Sequence, residues 1–115
     1  MITLHIEHPV TDYAVWKRAF DRFAAARAEA GVLRHTVRRP LDDPAYVVVD
    51  LGFAEAEQAE RFLGFLTATV WAEPANSPAL AGRPRTRVLA VEEDVRSRED
   101  LQPLEDMRQT DTVRS

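Results

Sequence analysis

Cysteine is absent from this 115-residue sequence, and glycine occurs only four times. Without cysteine the chain has no disulfide and no thiolate chemistry, so a metal site would have to use histidine and carboxylate ligands. The sequence also contains no glycine-rich phosphate loop, no serine nucleophile elbow and no paired-histidine helix motif. These absences disfavour hydrolases, kinases and dinucleotide-binding enzymes, and the lack of cysteine favours a cytoplasmic protein.

Long apolar runs and a strong charge of one sign are missing as well. No segment approaches the roughly 20 apolar residues that a membrane helix needs, and the first residues do not resemble a signal peptide. The formal net charge is −4, and the arginines are spread along the chain instead of forming one basic block. We therefore expect a soluble protein of one domain, with neither a membrane nor a nucleic acid as partner.

The strongest pattern in the sequence lies in residues 12–31. Five side chains recur at spacings of three and four and would form one stripe along a helix: Tyr13, Trp16, Phe20, Phe23 and Arg27. Asp12 is placed to cap the first free amides, and Gly31 is suited to a left-handed end. The pattern predicts one amphipathic helix whose aromatic stripe packs on another surface.

The remaining segments complete a simple order of elements. Period-two alternation predicts strands near residues 2–7, 32–39, 45–53 and 86–91, and helical spacing predicts a second helix over 55–71. The second strand is charged on one face, as is typical of an edge, whereas the third is apolar on nearly both faces and should be central. This order predicts an α+β fold of βαββαβ type, with a four-stranded antiparallel sheet and two helices on one face.

Two expectations concern the ends of this unit and its second face. We assign residues 1–93 to the folded domain and 94–115 to a polar tail, in which Leu101, Leu104 and Met107 could form a short helix. On the sheet face away from the helices, Tyr46 and Val48 predict a surface too apolar to remain in water. A homodimer that buries this face is therefore expected.

Two segments carry a resemblance to a known family. They read Val10-Thr-Asp-Tyr-x-x-Trp16-Lys-x-x-Phe20 and, before a valine-rich strand, Arg39-Pro40-x-Asp-Asp-Pro44. Over residues 1–93 the chain resembles the dimeric α/β-barrel (ferredoxin-like) superfamily, and within it small bacterial proteins of unassigned function sometimes labelled cyclases. It is more distantly similar to antibiotic-biosynthesis monooxygenases. The resemblance implies a ferredoxin-like fold that pairs into a dimeric α/β barrel, on which cofactor-free monooxygenases, isomerases, haem enzymes and ligand-binding proteins all occur.

His35 is the candidate catalytic residue. It shares one side of the second predicted strand with Leu33 and Val37, so it should point into the space between the sheet and the helices. A histidine titrates near neutral pH and could move a proton at an activated carbon. The alternative is a buried histidine with a structural hydrogen bond.

The candidate ligand-binding residues are aromatic and polar side chains near one presumed opening. They are Tyr13, Trp16, Phe20, Trp71 and Asn76. The rings could stack on a flat substrate, although a stripe at helical spacing is also what an ordinary core requires. The proline-rich loop 73–84 would act as a lid or as a stiff connection.

A metal site is a weaker possibility. His5 and Glu7 share one face of the first strand, and Asp50 could join them from a neighbouring strand. No further ligand is fixed by the pattern, and ion pairing with Arg34 or Arg38 explains the same residues. We predict neither a metal nor a cofactor.

Two functions remain open from the sequence. The first is a dimeric protein that binds a small apolar or aromatic molecule. The alternative is a cofactor-free cyclase, isomerase or monooxygenase of polyketide or aromatic metabolism, with His35 as the proton shuttle. An enclosed volume of about 300 Å³ or more, reached by His35, would favour the enzyme, whereas a filled core would favour the binding protein.

Overall fold

The computed structural model describes residues 1–97. Strand β1 (Ile2–Pro9) is followed by helices α1 (Tyr13–Arg22) and α2 (Ala24–Ala30), then by strands β2 (Arg34–Arg38) and β3 (Tyr46–Phe53). Helix α3 (Ala56–Phe65) continues into a π-helical turn (Leu66–Val70), and strand β4 (Arg85–Ala90) ends the order. The helix predicted around Leu101, Leu104 and Met107 lies outside the described residues.

The four strands form one antiparallel sheet in the order β2-β3-β1-β4. Strand β3 is central and β2 lies at an edge, which confirms both predictions. The register pairs Leu4 with Leu51 and Ile6 with Val49 between the two central strands. Side chains of the same parity therefore meet on the face that the helices cover.

The core lies between this face and the helices. Leu4, Val47 and Phe53 are fully buried, and the α3 residues Ala59 and Phe62 pack against them. Burial of these apolar side chains holds α3 on the sheet, because the hydrophobic effect scales with the apolar area removed from water. The predicted α+β fold, with its helices on one face of a four-stranded antiparallel sheet, is confirmed.

The predicted single helix over 12–31 is two helices. Its ends are as expected: the Asp12 carboxylate accepts from the Val15 N–H at 3.1 Å, and Gly31 adopts a left-handed φ of 98°. At Phe23, however, the backbone leaves the helical region. The Phe20 carbonyl accepts from the Phe23 N–H and from the Arg27 guanidinium, so a side chain takes part in the hydrogen bonding where the helix breaks.

The second predicted helix, over 55–71, also changes form before its end. Glu55 and Gln58 make a reciprocal capping box at the start of α3. The last turn is π-helical, with the Trp71 N–H donating to the Leu66 carbonyl at 2.7 Å. The extra residue in this turn rotates the end of the helix, and Val70 and Trp71 face the interior of the fold.

The outer face of the sheet is polar, which corrects the expectation of an apolar surface. Tyr46 and Val48 lie there half-buried, but His5, Glu7 and Asp50 lie between and beside them and are linked by hydrogen bonds. The apolarity of this face is therefore not a reason for dimerisation. No helix in the described part of the chain is long and apolar enough to cross a membrane.

Two glycines provide a matched test of this fold. A Cβ at Gly31 would lie 2.5 Å from the Gln58 side-chain nitrogen and would sit on a backbone with positive φ. Gly31→Ala should therefore lower the free energy of unfolding by about 1–2 kcal/mol. At Gly64, within α3, an added Cβ meets nothing within 4 Å. Gly64→Ala should therefore raise the free energy of unfolding by about 0.5–1 kcal/mol. Urea unfolding of both variants gives the two values, and midpoint shifts of the same sign would contradict this account of the α2 end.

Candidate functional site

A cavity of about 70 Å³ lies between the inner face of the sheet and the helices. Its walls come from β1, β3, α1, α2, α3, the π-helical turn and the segment 76–80. The volume can hold water molecules but is smaller than a typical pocket for a drug-sized ligand, which starts near about 300 Å³. The cavity is therefore below the enclosed volume of about 300 Å³ that would have favoured an enzyme.

Aromatic rings form much of the cavity wall. The Trp16 and Phe20 rings stack with centroids 5.0 Å apart, and Phe23, Phe62 and Trp71 complete the aromatic lining. Rings at this separation attract one another beyond simple burial and present a flat apolar surface. Such a surface suits a flat ligand.

His8 is a polar group of this wall. It is 3% exposed, and its ring meets Trp16 edge-on at 6.2 Å. Nδ1 lies 2.9 Å from the Pro9 carbonyl oxygen, which can only accept, so the proton of a neutral ring is assigned to Nδ1. Burial lowers the pKa of His8, and the hydrogen bond to Pro9 only partly opposes this. The ring is therefore neutral at pH 7, and Nε2 carries a lone pair to which no residue in 1–97 donates.

Arg27 is the second buried polar group. It is 7% exposed, and its guanidinium carbon lies 3.7 Å from the centroid of the Phe20 ring. Nη1 donates to the Phe20 carbonyl at 2.7 Å. Burial lowers the pKa of Arg27, but an arginine remains charged at neutral pH. His8 and Arg27 thus lie at opposite ends of the Trp16 and Phe20 stack.

One wall of the cavity is irregular chain. Asn76 donates from its amide to the Thr69 carbonyl at 2.9 Å, which ties this segment to the π-helical turn. The Thr11 N–H donates to the Ala79 carbonyl at 2.9 Å, and Val10 forms a bridge with Leu80. The segment is therefore attached at a few points to the end of β1 and to the helix layer.

The structure brings together four of the five predicted ligand-binding residues. Trp16, Phe20, Trp71 and Asn76 all line the cavity. Tyr13 does not: its ring lies 5.7 Å from that of Trp16, and the Arg39 guanidinium covers it at 3.9 Å.

His35 does not line the cavity either. It points toward the helix layer as predicted, with its ring 5.4 Å from that of Phe20, but it is exposed because β2 is an edge strand. The part of the His35 ring that faces Phe20 is shielded from water, and this partial desolvation, together with the charges of Arg27 and Lys17, lowers the pKa of His35. Its catalytic role stays a prediction.

Sequence reasoning did not select His8 or Arg27, although signals for both were present. His8 has the same strand parity as Leu4 and Ile6, and extending the alternation to Pro9 would have placed it on the covered face. Arg27 was part of the predicted helical stripe, but only aromatic residues of that stripe were selected as ligand-binding candidates. Neither pattern could reveal that the two side chains would share one cavity.

A separate polar cluster lies on the outer face of the sheet. His5 Nδ1 lies 2.7 Å from Asp50 Oδ1 and Nε2 lies 2.8 Å from Glu7 Oε2, and since carboxylates only accept, the ring nitrogens are the donors. Arg38 pairs with Asp50, and the Tyr46 hydroxyl donates to Glu7 at 2.7 Å. The ion pair with Arg38 confirms the simpler of the two sequence interpretations. Among residues 1–97, no group of three or more acidic or histidine side chains is arranged to hold a metal ion.

The shifts in this outer cluster follow from the hydrogen bonds. Partial burial acts to lower the pKa of His5, but the bonds to Glu7 and Asp50 outweigh it and raise the pKa. The hydrogen bonds from His5 and then from Tyr46 lower the pKa of Glu7. His5 and His8 lie on opposite faces of one strand, and their pKa values therefore move in opposite directions.

Comparison with solved structures places this fold among known proteins. SnoaB, a cofactor-independent oxygenase from Streptomyces nogalater, matches with a TM-score of 0.64 and 21% identity, over 82% of this chain and 95% of SnoaB. An antibiotic biosynthesis monooxygenase matches with a TM-score of 0.58 and 7% identity, over 81% of this chain and all (100%) of the other. A dimeric ferredoxin-like protein from an uncultured marine organism matches with a TM-score of 0.60 and 14% identity, over 82% and 96% of the two chains.

These likenesses concern the fold. They confirm the predicted resemblance to ferredoxin-like proteins and to the monooxygenases that share their architecture. At such low identity they assign no activity to this chain. No protein-family model matches the sequence, and no curated protein does.

The two β1 histidines give a testable pH dependence. We expect His5 to titrate above the ordinary value of 6.5 and His8 below it. The contribution of His5 to stability is complete below the unfolded-state pKa and is lost as the pH rises through the folded-state value. For His8 the unfolded chain takes up the proton first, so the folded state is destabilised as the pH falls below 6.5.

NMR titration of the histidine ring resonances measures both values. His5→Gln and His8→Gln assign the signals by removing one each. A His8 signal that titrates at or above the ordinary value would contradict a neutral, buried ring.

Proposed function

We propose that the chain binds a small, flat, mainly apolar aromatic molecule in the cavity between the sheet and the helices. The observation that carries this proposal is the aromatic lining around Trp16 and Phe20, in which only a few polar groups are placed. Ligand pockets have this composition: apolar walls give affinity, and isolated polar groups fix orientation.

Binding of a ring system requires the cavity to enlarge. At about 70 Å³ it is below the 150 Å³ or so of an apolar cavity that accepts benzene. The segment 76–80 is the wall best suited to move, because it lacks regular structure and most of its hydrogen bonds are local turns, so that within residues 1–97 only the bonds of Asn76 to Thr69 and of Thr11 to Ala79, with the Val10–Leu80 bridge, hold it to other elements. Such a movement would make the loop 73–84 a lid and not the stiff connection that is its alternative.

We also propose that the protein acts as a homodimer, with two sheets paired through their outer faces. The dimeric ferredoxin-like proteins with the same fold support this assembly. The outer face offers arginines on both edge strands around the acidic side chains Glu7 and Asp50. A two-fold pairing of this face could place opposite charges together. Charge complementarity, and not the burial of an apolar face, is therefore the reason proposed for the dimer.

The binding proposal has a direct test, because both tryptophans of the chain line the cavity. Two naphthalene derivatives, 2-naphthoate and 2-naphthamide, serve as flat probes, and the two indole N–H signals in an NMR spectrum report on them. We expect both signals to shift in a saturable way with at least one probe.

Ala19 and Ala14 supply a matched pair of variants on α1. Ala19 is buried and lines the cavity, whereas Ala14 is exposed. Ala19→Leu should fill the cavity and abolish the shifts, at a stability cost of about 1–3 kcal/mol, while Ala14→Leu should leave them unchanged. Binding by neither probe, or equal binding by both variants, would rule out this cavity as the site.

A second function, cofactor-free oxygenation or isomerisation, is supported by His8. These reactions share a first step in which a base removes a proton from the substrate. The neutral ring directs its proton-bearing Nδ1 to Pro9, which leaves the lone pair of Nε2 available as a base. Nε2 could accept a proton from a C–H or O–H group of the substrate, and the electron pair of that bond would stay on the substrate. In the oxygenase version dioxygen is the co-reactant that takes up these electrons.

The His8 role predicts a large effect on turnover. With hydroxynaphthalenes and fused-ring ketones as a substrate panel, oxygen uptake by His8→Gln should fall by about 10²–10⁴-fold while the thermal unfolding midpoint shows a folded protein. Because burial lowers the pKa of His8, the wild-type rate should stay level through pH 7 and decline only below the ordinary range of histidine. Loss of turnover in His35→Gln, with His8→Gln active, would instead support the proton shuttle predicted from the sequence.

A further inference from the structure

Arg27 is a buried cation without a carboxylate partner in the described residues. The acid whose charge acts on it is Asp21, but Asp21 forms its ion pair with Lys17 at 2.7 Å. Within residues 1–97 the guanidinium makes one hydrogen bond, to the Phe20 carbonyl, which uses one of its five N–H donors. A charged group that is 7% exposed therefore faces an apolar cavity with most of its donors unused.

Such an arrangement is costly for the folded state. A buried charge is normally paired, because removal from water is offset only by an opposite charge and by hydrogen bonds. The face of the Phe20 ring attracts the guanidinium, but this attraction is weaker than a charge pair. The missing counter-charge is what a ligand could supply.

We infer that the ligand of this cavity is an aromatic acid, and that its carboxylate binds to Arg27 while its ring lies on the Trp16 and Phe20 stack. The planar guanidinium fork matches a carboxylate with two parallel hydrogen bonds. The inference rests on the proposed function and narrows it, since it names the charged group that the flat molecule carries.

A purely structural role is the competing explanation for Arg27. Its side chain satisfies a carbonyl at the end of α1, and it covers Phe20 where the helix breaks. That role would affect stability in every variant that shortens or neutralises the side chain. It would not make the protein prefer an anion to a neutral molecule of the same shape.

The experiment uses the same pair of probes. 2-Naphthoate and 2-naphthamide share the ring and the planar substituent, but only the first is an anion at pH 7. We expect the wild-type protein to bind 2-naphthoate about 10- to 100-fold more tightly, the range of a hydrogen bond to a charged group. Arg27→Met should abolish this preference while keeping affinity for 2-naphthamide, and Arg27→Lys, which keeps the charge but not the planar fork, should give a preference between those of the wild type and Arg27→Met.

Arg18→Gln is the control, because Arg18 is an exposed arginine of α1. This variant should keep the wild-type ratio of the two dissociation constants. In the wild type the same ratio should change little in high salt, because salt screens a buried ion pair less than an exposed one. Equal affinity of the wild type for both probes would overturn the inference and leave the binding site intact. The inference would also be overturned if Arg27→Met and Arg27→Lys gave the same ratio of dissociation constants. If the wild type bound neither probe, the proposed function itself would be ruled out.

Discussion

The stacking of Trp16 on Phe20 is the contact on which both the fold and the cavity depend. The two rings face the inner side of the sheet with centroids 5.0 Å apart, and each end of the stack meets a buried polar residue, His8 or Arg27. The apolar faces hold α1 on the sheet, since their burial is the main favourable term available to a short helix. The same faces form a wall of the cavity. Packing and the proposed ligand binding therefore use the same side chains.

Much of the architecture could be predicted from the sequence because it depends on short-range periodicity. The alternation along β1 and β3, the Asp12 cap and the left-handed Gly31 each follow from local chemistry, and the structure confirms them. The break at Phe23 could not be predicted this way. It involves the Arg27 side chain, which reaches back seven residues to a main-chain carbonyl, and helical spacing carries no signal for such a bond.

The outer face and the candidate site show a second limit of pattern reading. Period-two alternation gives the direction of a side chain but not its depth, so His35 points toward the helices and is still exposed at an edge strand. It also gives no account of partners on other strands. Tyr46 counts as apolar in a pattern, yet its hydroxyl donates to Glu7 in a cluster that Asp50 completes from β3. Polar contacts across strands depend on register, which only the folded sheet fixes.

Strand β1 shows how one element serves two environments. His5 and His8 differ by an odd number of positions, so they face opposite sides of the sheet. On the outer side, carboxylates at 2.7 and 2.8 Å favour the charged ring of His5. On the inner side, the helices exclude water and favour the neutral ring of His8. Arg27 brings a positive charge to another part of the wall of that same buried cavity. The cavity wall thus combines a buried cation with a buried neutral base, and these are the two groups that the proposed binding of an aromatic acid and the proposed proton transfer would use.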